Sequence, residues 1–385
     1  MPTTANRLTR LADSAITEMS RLSEQYSAIN LASGFPDFDP PPELLAAAES
    51  ALRQGHNQYS LPWGSSRLRQ ALAEKQSRFM GLDIDPEAHV TITCGSTEAM
   101  MAALVVVCDP GDKVIIFSPF YENYTADTLL FGAIPIYVPL HPPEFNFAPL
   151  ELRRAFEQGA KALILCNPSN PCGKVFTASE LQTIADLAKE FDALIITDEV
   201  YEHIVYPPNK HTYIASLADM FERTISCGSL SKTYAITGWR LGYVIAPASI
   251  SDEIRKIHDF LTIAAPSPLQ EAAVAGLRFP DSYYQHIQAE YGQRRKFFLD
   301  YLDQAGIPFT PPQGAYFVLA DISRFGFSDD VEFCRWIVKE IAVSAVPGSS
   351  FFNEPVKNLV RFNFAKRLDT LAEAGKRLIQ LSKIV

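Results

Sequence analysis

The stretch "ALILCNPSNPCGKVFTASELQTIADLAKEFDALIITDEVY", residues 162–201, decides the fold. It opens on a short apolar run, "ALILC" (162–166), and closes on another, "ALIITD" (193–198). Between them Thr177 stands three residues ahead of Glu180. That spacing is a capping box, and it heads a helical stretch reaching residue 191. Apolar strands joined through a helix argue for a mostly parallel sheet covered on both faces.

The same alternation extends outward. "HVTITC" (89–94), "KVIIF" (113–117) and "IPIYVPL" (134–140) precede the stretch, and "RTISC" (223–227) and "LGYVIA" (241–246) follow it. The helix-like "STEAMMAALVVVC" comes directly after the first run. A large α/β domain with a mostly parallel central sheet flanked by helices is therefore expected over residues 40–270. From about residue 267 the texture changes. A long helical stretch to about 305 is followed by "AYFVLAD" (315–321), a helix near 329–342, "AVSAVPG" (342–348), "LVRFNFA" (359–365) and a closing helix "RLDTLAEAGKRLIQLSK". Few strands with helices on one side predict a smaller α+β domain, formed by 1–39 plus 271–385. A chain of 385 residues suits two domains.

Composition narrows the function classes. The chain has 34 basic and 44 acidic residues, a net charge of -10, and no basic run. Nucleic acid is not an expected partner. No apolar stretch reaches the roughly 18 residues that a membrane span needs. The N-terminal stretch reads as an amphipathic helix and then a loop, without the apolar core of a signal peptide. Six cysteines form no C-x-x-C pair, and Cys94, Cys166 and Cys227 end strand-like runs. Reduced core thiols and a cytoplasmic location are expected. The seven histidines show no metal-ligand spacing, so no metal site is expected.

In a parallel α/β sheet, ligands sit beyond the carboxyl ends of the strands. Gly95, Ser96 and Thr97 follow the first strand at a helix start, where free N–H groups attract an anion. Tyr121 follows the second, in "SPFYENY". Asn167 and Asn170 follow "ALILC", each before a proline; Asp198 and Tyr201 follow "ALIIT"; Lys232 follows "RTISC" in "GSLSK". Together these groups fit a flat, phosphorylated aromatic aldehyde, pyridoxal phosphate. Its aldehyde needs an amine, Lys232. Its ring nitrogen needs a carboxylate that favours the protonated form, Asp198. Its phenolate oxygen takes donors from Asn170 and Tyr201, and its ring a stacking face from Tyr121. Its phosphate takes Ser229, Arg240 and the turn 95–97. That explains a lysine set among small hydroxylated residues in "GSLSKTYAITGWRLGY" (228–243).

These motifs carry a resemblance. "SLSKTYAITGWRLGY", "NPSNPCG" (167–173) and "TDEVY" (197–201) resemble the class I/II aminotransferases of the fold-type-I pyridoxal phosphate family. "NLASGFPDF", "NQYS" and "SPFYENY" look most like its methionine, glutamine and kynurenine branch. The resemblance implies transfer of the amino group of an L-amino acid to a 2-oxo acid in ping-pong order. Lys232, Asp198 and Tyr201 would act catalytically, and Lys232 would serve as general base. It implies a homodimer with shared sites, Tyr59 reaching the partner's phosphate. It also implies that Arg361, with Gly34 and Asn170, binds the substrate, Arg361 gripping the α-carboxylate. Ser231 departs from the glycine that many relatives of that branch carry before the lysine. Aromatic core and pocket lining stay open for Trp63 and Tyr316. The alternative on the same scaffold is a β-lyase for cysteine S-conjugates or cystathionine. A gene regulator would need a DNA-binding module, for which the first 30 residues are too short.

Overall fold

The computed structural model describes residues 5–383. Its strands, in chain order, are β1 (Ile29–Asn30), β2 (Val90–Thr93), β3 (Lys113–Ser118), β4 (Ile134–Pro139), β5 (Ala160–Cys166), β6 (Leu194–Asp198), β7 (Thr224–Ser229), β8 (Gly242–Ile245), β9 (Phe317–Asp321), β10 (Val343–Ser344), β11 (Val346–Pro347) and β12 (Leu359–Asn363). All seven runs expected between 89 and 246 are strands of one sheet, ordered β2-β8-β7-β6-β5-β3-β4. Neighbours are parallel except β8, which runs antiparallel to both β2 and β7.

Side-chain alternation builds a core on each face. Val114, Ile116, Ile164 and Ile196 pack with Ala99 and Ala103 of the helix Ser96–Val107. The intervening Ile115, Phe117, Leu163 and Ile195 pack with Leu181, Ile184 and Ala188 of the helix Ala178–Glu190. The capping box is present: Glu180 N–H donates to Thr177 Oγ1, and Thr177 N–H donates to the Glu180 carboxylate at 2.8 Å. A β-period on the strands and a 3.6-residue period on the helix thus meet in one apolar layer.

The reversal of β8 sets up the site. An antiparallel strand starts where its parallel neighbours end. Gly242, the first residue of β8, pairs with both Thr93 and Ser229, the last residues of β2 and β7. Six strand ends and one strand start therefore share an edge.

The remaining strands form an antiparallel sheet, β11-β12-β9, and a parallel pair, β1-β10. Met19 and Leu31 from the N-terminal segment share a core with Phe298, Phe333, Phe362 and Leu371. The segment 342–348 differs from a single strand: β10 pairs with β1, and after Ala345 β11 joins the other sheet. The long helical stretch is two helices, Ser267–Leu277 and Asp281–Gln304. Pro280 breaks it, because proline offers no N–H to continue the ladder. Among the described residues no helix is long and apolar enough to cross a membrane, and no cluster of side chains suits a metal ion.

Candidate active site

A cavity of about 290 Å3 lies at the carboxyl edge of the large sheet. Lys232 enters it from a single helical turn, Leu230–Thr233, that follows β7. Ser229 caps that turn: its Oγ accepts the Ser231 N–H at 3.0 Å and donates to the Leu241 carbonyl at 3.0 Å. The chain then doubles back, with Arg240 in the left-handed region (φ 54°), and enters β8. This reversal is what brings a lysine and an arginine eight residues apart to one edge.

The anion end of the cavity depends on close approach. The Arg240 guanidinium lies over Gly95 (φ 82°); a Cβ there would sit 2.4 Å from its Nη2. A Cβ on Gly242 would sit 2.3 Å from the Gly95 carbonyl carbon and 2.5 Å from the Ser96 nitrogen. Gly95 offers no side-chain cap, so the first N–H groups of the helix Ser96–Val107 are free to face a ligand.

Asp198 ends β6 and is buried. The Tyr124 hydroxyl donates to its Oδ2 at 2.6 Å, and the Val200 N–H donates to Oδ1 at 3.3 Å. Burial outweighs both donors and pushes the carboxyl up to about 6. Burial likewise brings the Lys232 ammonium down to about 8, against the pull of Asp198. Lys232 Nζ donates to the Gly34 carbonyl at 2.9 Å, which the Tyr316 hydroxyl also reaches at 2.9 Å. Tyr316 thus supports the loop from behind, while Trp63 lies under the Arg255 guanidinium at 5.5 Å.

Arg361 projects from β12 and is fully buried. Its Nη1 donates to Asn170 Oδ1 at 2.8 Å and its Nη2 to the Ala32 carbonyl at 2.9 Å. Phe317 and Phe351 lie 4.2 and 4.6 Å from its central carbon. Both hydrogen-bond partners are neutral, and Nε has no partner. Burial brings this guanidinium down to about 10. A buried cation held only by neutral acceptors suits a carboxylate ligand.

Of the residues singled out from the sequence, Gly34, Ser96, Thr97, Tyr121, Asn170, Asp198, Tyr201, Ser229, Ser231, Lys232, Arg240 and Arg361 line this cavity, whereas Gly95, Tyr59, Asn167, Trp63 and Tyr316 do not. Gly95 sits directly behind it under Arg240. Tyr59 is 78% exposed and lies outside its own chain's cavity. Asn167, noted with Asn170, instead fastens the loop: its amide donates to the Thr212 carbonyl and accepts the Phe176 N–H. Sequence reading missed Tyr124, whose position three residues after Tyr121 in "YENY" was the available signal. It also missed Phe317 of β9 and Ile16 near the N-terminus, which no local motif marks, and Phe35, although it stands next to Gly34 in "NLASGFPDF".

Comparison with known proteins follows the same lines. The family model for aminotransferase class I and II matches residues 26–378. The chain is 37% identical to the methionine aminotransferase of Escherichia coli (strain K12) over 377 residues, 98% of each chain. It is also 37% identical to the "Probable N-succinyldiaminopimelate aminotransferase DapC" of Mycobacterium tuberculosis (strain ATCC 25618 / H37Rv), over 99% of each chain. A solved Escherichia coli structure described as identifying a methionine aminotransferase function superposes with a TM-score of 0.94 at 36% identity, covering 99% of this chain and 100% of that one.

Proposed function

The chain belongs to the class I and II aminotransferases, and from that membership we propose which of its residues act and on which substrates. It is a pyridoxal phosphate-dependent transaminase of fold type I. Several features of the cavity fit that cofactor. Asp198 is a buried carboxylate without a fixed cation, as a protonated ring nitrogen requires. Ser231 Oγ is buried without a partner beside Lys232, and the helix start at Ser96 is uncapped. Arg240, Ser229 and the turn 95–97 would hold the phosphate. Tyr121 would stack on the ring. Tyr201 and Asn170 would donate to the phenolate oxygen; Arg361 engages Asn170 Oδ1, so the Nδ2 of Asn170 remains for that contact.

The bound cofactor supplies an aldehyde that takes up the substrate amine and a protonated ring that accepts an electron pair. Arg361 binds the α-carboxylate through its fork of donors, which fixes the Cα–H bond toward Lys232. Lys232 Nζ would remove the Cα proton as general base and hold it at Nζ for return. Asp198 holds the proton at the ring nitrogen throughout. Phe317 and Phe351 exclude water from the guanidinium and strengthen its grip. The two half-reactions use the same residues, first releasing one 2-oxo acid and then aminating another, in ping-pong order.

The observation that carries the substrate class is the count of cations. Three line the cavity among the described residues: Lys232, Arg240 and Arg361, each with a proposed task. None of this chain's own remains for a distal carboxylate, and Ile16, Phe35 and Phe317 add apolar surface. This favours methionine, glutamine or aromatic side chains over an N-succinylated or acidic one. Exposed Tyr59, Leu61, Phe260, Leu261 and Ile263 support a homodimer in which Tyr59 reaches the partner's phosphate. Six free thiols suit a cytoplasmic location. A two-domain division belongs to the same reading, with the second boundary moved from 270/271 to beyond Leu277. Packing of Val274 with Leu44 favours keeping the helix Ser267–Leu277 with the large domain.

A panel of amino donors tests the substrate class. L-methionine, L-glutamine and L-phenylalanine should exceed L-aspartate and N-succinyldiaminopimelate in kcat/KM by about 100-fold or more. A dicarboxylate among the best donors would sink this assignment.

A further inference from the structure

A buried histidine sits behind the anion end of the cavity, outside the cavity itself. His258 is carried by the helix Ala248–Thr262 and is fully buried. Its Nδ1 is 2.7 Å from Glu98 Oε1, and its Nε2 is 2.7 Å from the Pro62 carbonyl oxygen. Thr262 Oγ1 donates to the same Glu98 oxygen at 2.8 Å, while the Cys94 N–H donates to the other. A neutral imidazole has one N–H and one acceptor nitrogen. Here both ring nitrogens face acceptors, a carboxylate and a carbonyl, so the His258–Glu98 pair must hold one proton more than a neutral imidazole beside a carboxylate. Burial alone would raise Glu98 and lower His258; their mutual hydrogen bond overcomes it, holding Glu98 below and His258 above their ordinary ranges.

Glu98 is the third residue of the helix whose start faces the cavity. A bare carboxylate in that first turn would oppose an anion bound at the helix start. Pro62 belongs to the loop that carries Tyr59, and the next residue, Trp63, accepts the Ile92 N–H through its carbonyl at 3.1 Å. One side chain thus cancels a charge and fastens a loop. The other titratable groups facing the pair are Asp259 on the histidine's own helix and Cys94 at the end of β2, with Arg240 beyond Cys94.

We propose that His258, as an imidazolium paired with Glu98, is a positioning residue that sets how tightly the cofactor phosphate is held, by neutralising the helix start and pinning the loop 59–63 against it. This rests on the proposed placement of the phosphate at residues 95–97 and Arg240.

The test titrates the full-length chain with pyridoxal phosphate and with pyridoxal, which lacks the phosphate. His258→Gln should weaken pyridoxal phosphate about tenfold, about 1.4 kcal/mol, and leave pyridoxal within about twofold. Glu98→Gln, which removes the opposing charge, should leave pyridoxal phosphate affinity unchanged or tighter. The double variant should fall between wild type and His258→Gln. In wild type the preference for the phosphorylated ligand should decline as rising pH takes the proton from His258, and the double variant should lack that decline. General damage to the fold would weaken both single variants alike and both ligands alike; either result overturns the proposal. Arg240→Ala separates the two readings. If it weakens pyridoxal phosphate selectively while His258→Gln does not, only the role of His258 fails. If Arg240→Ala weakens both ligands equally, the phosphate placement itself is wrong.

Discussion

Lys232 is set for its task by burial more than by any one neighbour. Desolvation disfavours its ammonium form, Asp198 restores part of that cost, and Arg240 and Arg361 add to it. The free amine is therefore available near neutral pH, where an exposed lysine would be almost wholly protonated. The expected consequence is that the rate at which cofactor-free protein captures pyridoxal phosphate rises with pH through a midpoint near 8 and levels off above it. A midpoint above 10, read by stopped-flow absorbance, would contradict the burial argument. At this scale the sequence was legible wherever a residue type had one chemical use. An amine, a carboxylate, an amide and an arginine at strand ends admit few ligands in common. Tyr124 was less legible because a tyrosine in a helix after a strand is ordinary core; only its 2.6 Å bond to Asp198 distinguishes it. Ser231 departs from the glycine of many relatives, and its unpartnered buried hydroxyl gives that departure a physical meaning.

Among elements, the decisive one is β8. The sequence marked "LGYVIA" as a strand, but nothing in its apolar pattern says that it runs against its neighbours. Strand direction is a property of connections, and the short path from Lys232 to Gly242 leaves no room for a crossover helix. The reversal puts Gly242 against Gly95 and Ser96, closer than any side chain permits. Gly242→Ala must push β8 or the helix start aside. It should weaken pyridoxal phosphate binding at least tenfold and cost about 1–3 kcal/mol of stability, the usual range for overpacking. Titration and thermal unfolding read the two effects, and unchanged cofactor affinity would separate the glycine from the phosphate site. The helix Ala178–Glu190 was readable to within a residue, since its cap is a local hydrogen-bond motif. The pair β10 and β11 was not, because two residues of strand carry no period.

For the whole molecule, the sequence spelled out the large sheet and left the cavity half drawn. Arg361 of β12, Phe317 of β9 and Gly34 of the loop after β1 are far from Lys232 in sequence, and only tertiary packing carries them to it. Tyr59 is exposed outside its own chain's cavity, as the proposed homodimer requires. With Lys232 as the base, these parts are proposed to perform transamination rather than elimination. The most direct test mixes the pyridoxal phosphate-loaded protein with excess L-methionine and no 2-oxo acid, and counts products per site. Transamination yields one equivalent of 2-oxo acid per site, loss of the bound-cofactor absorbance, no ammonia, and recovery of the spectrum when a 2-oxo acid is added. Continuous ammonia release with unchanged absorbance, or no 2-oxo acid at all, would contradict it.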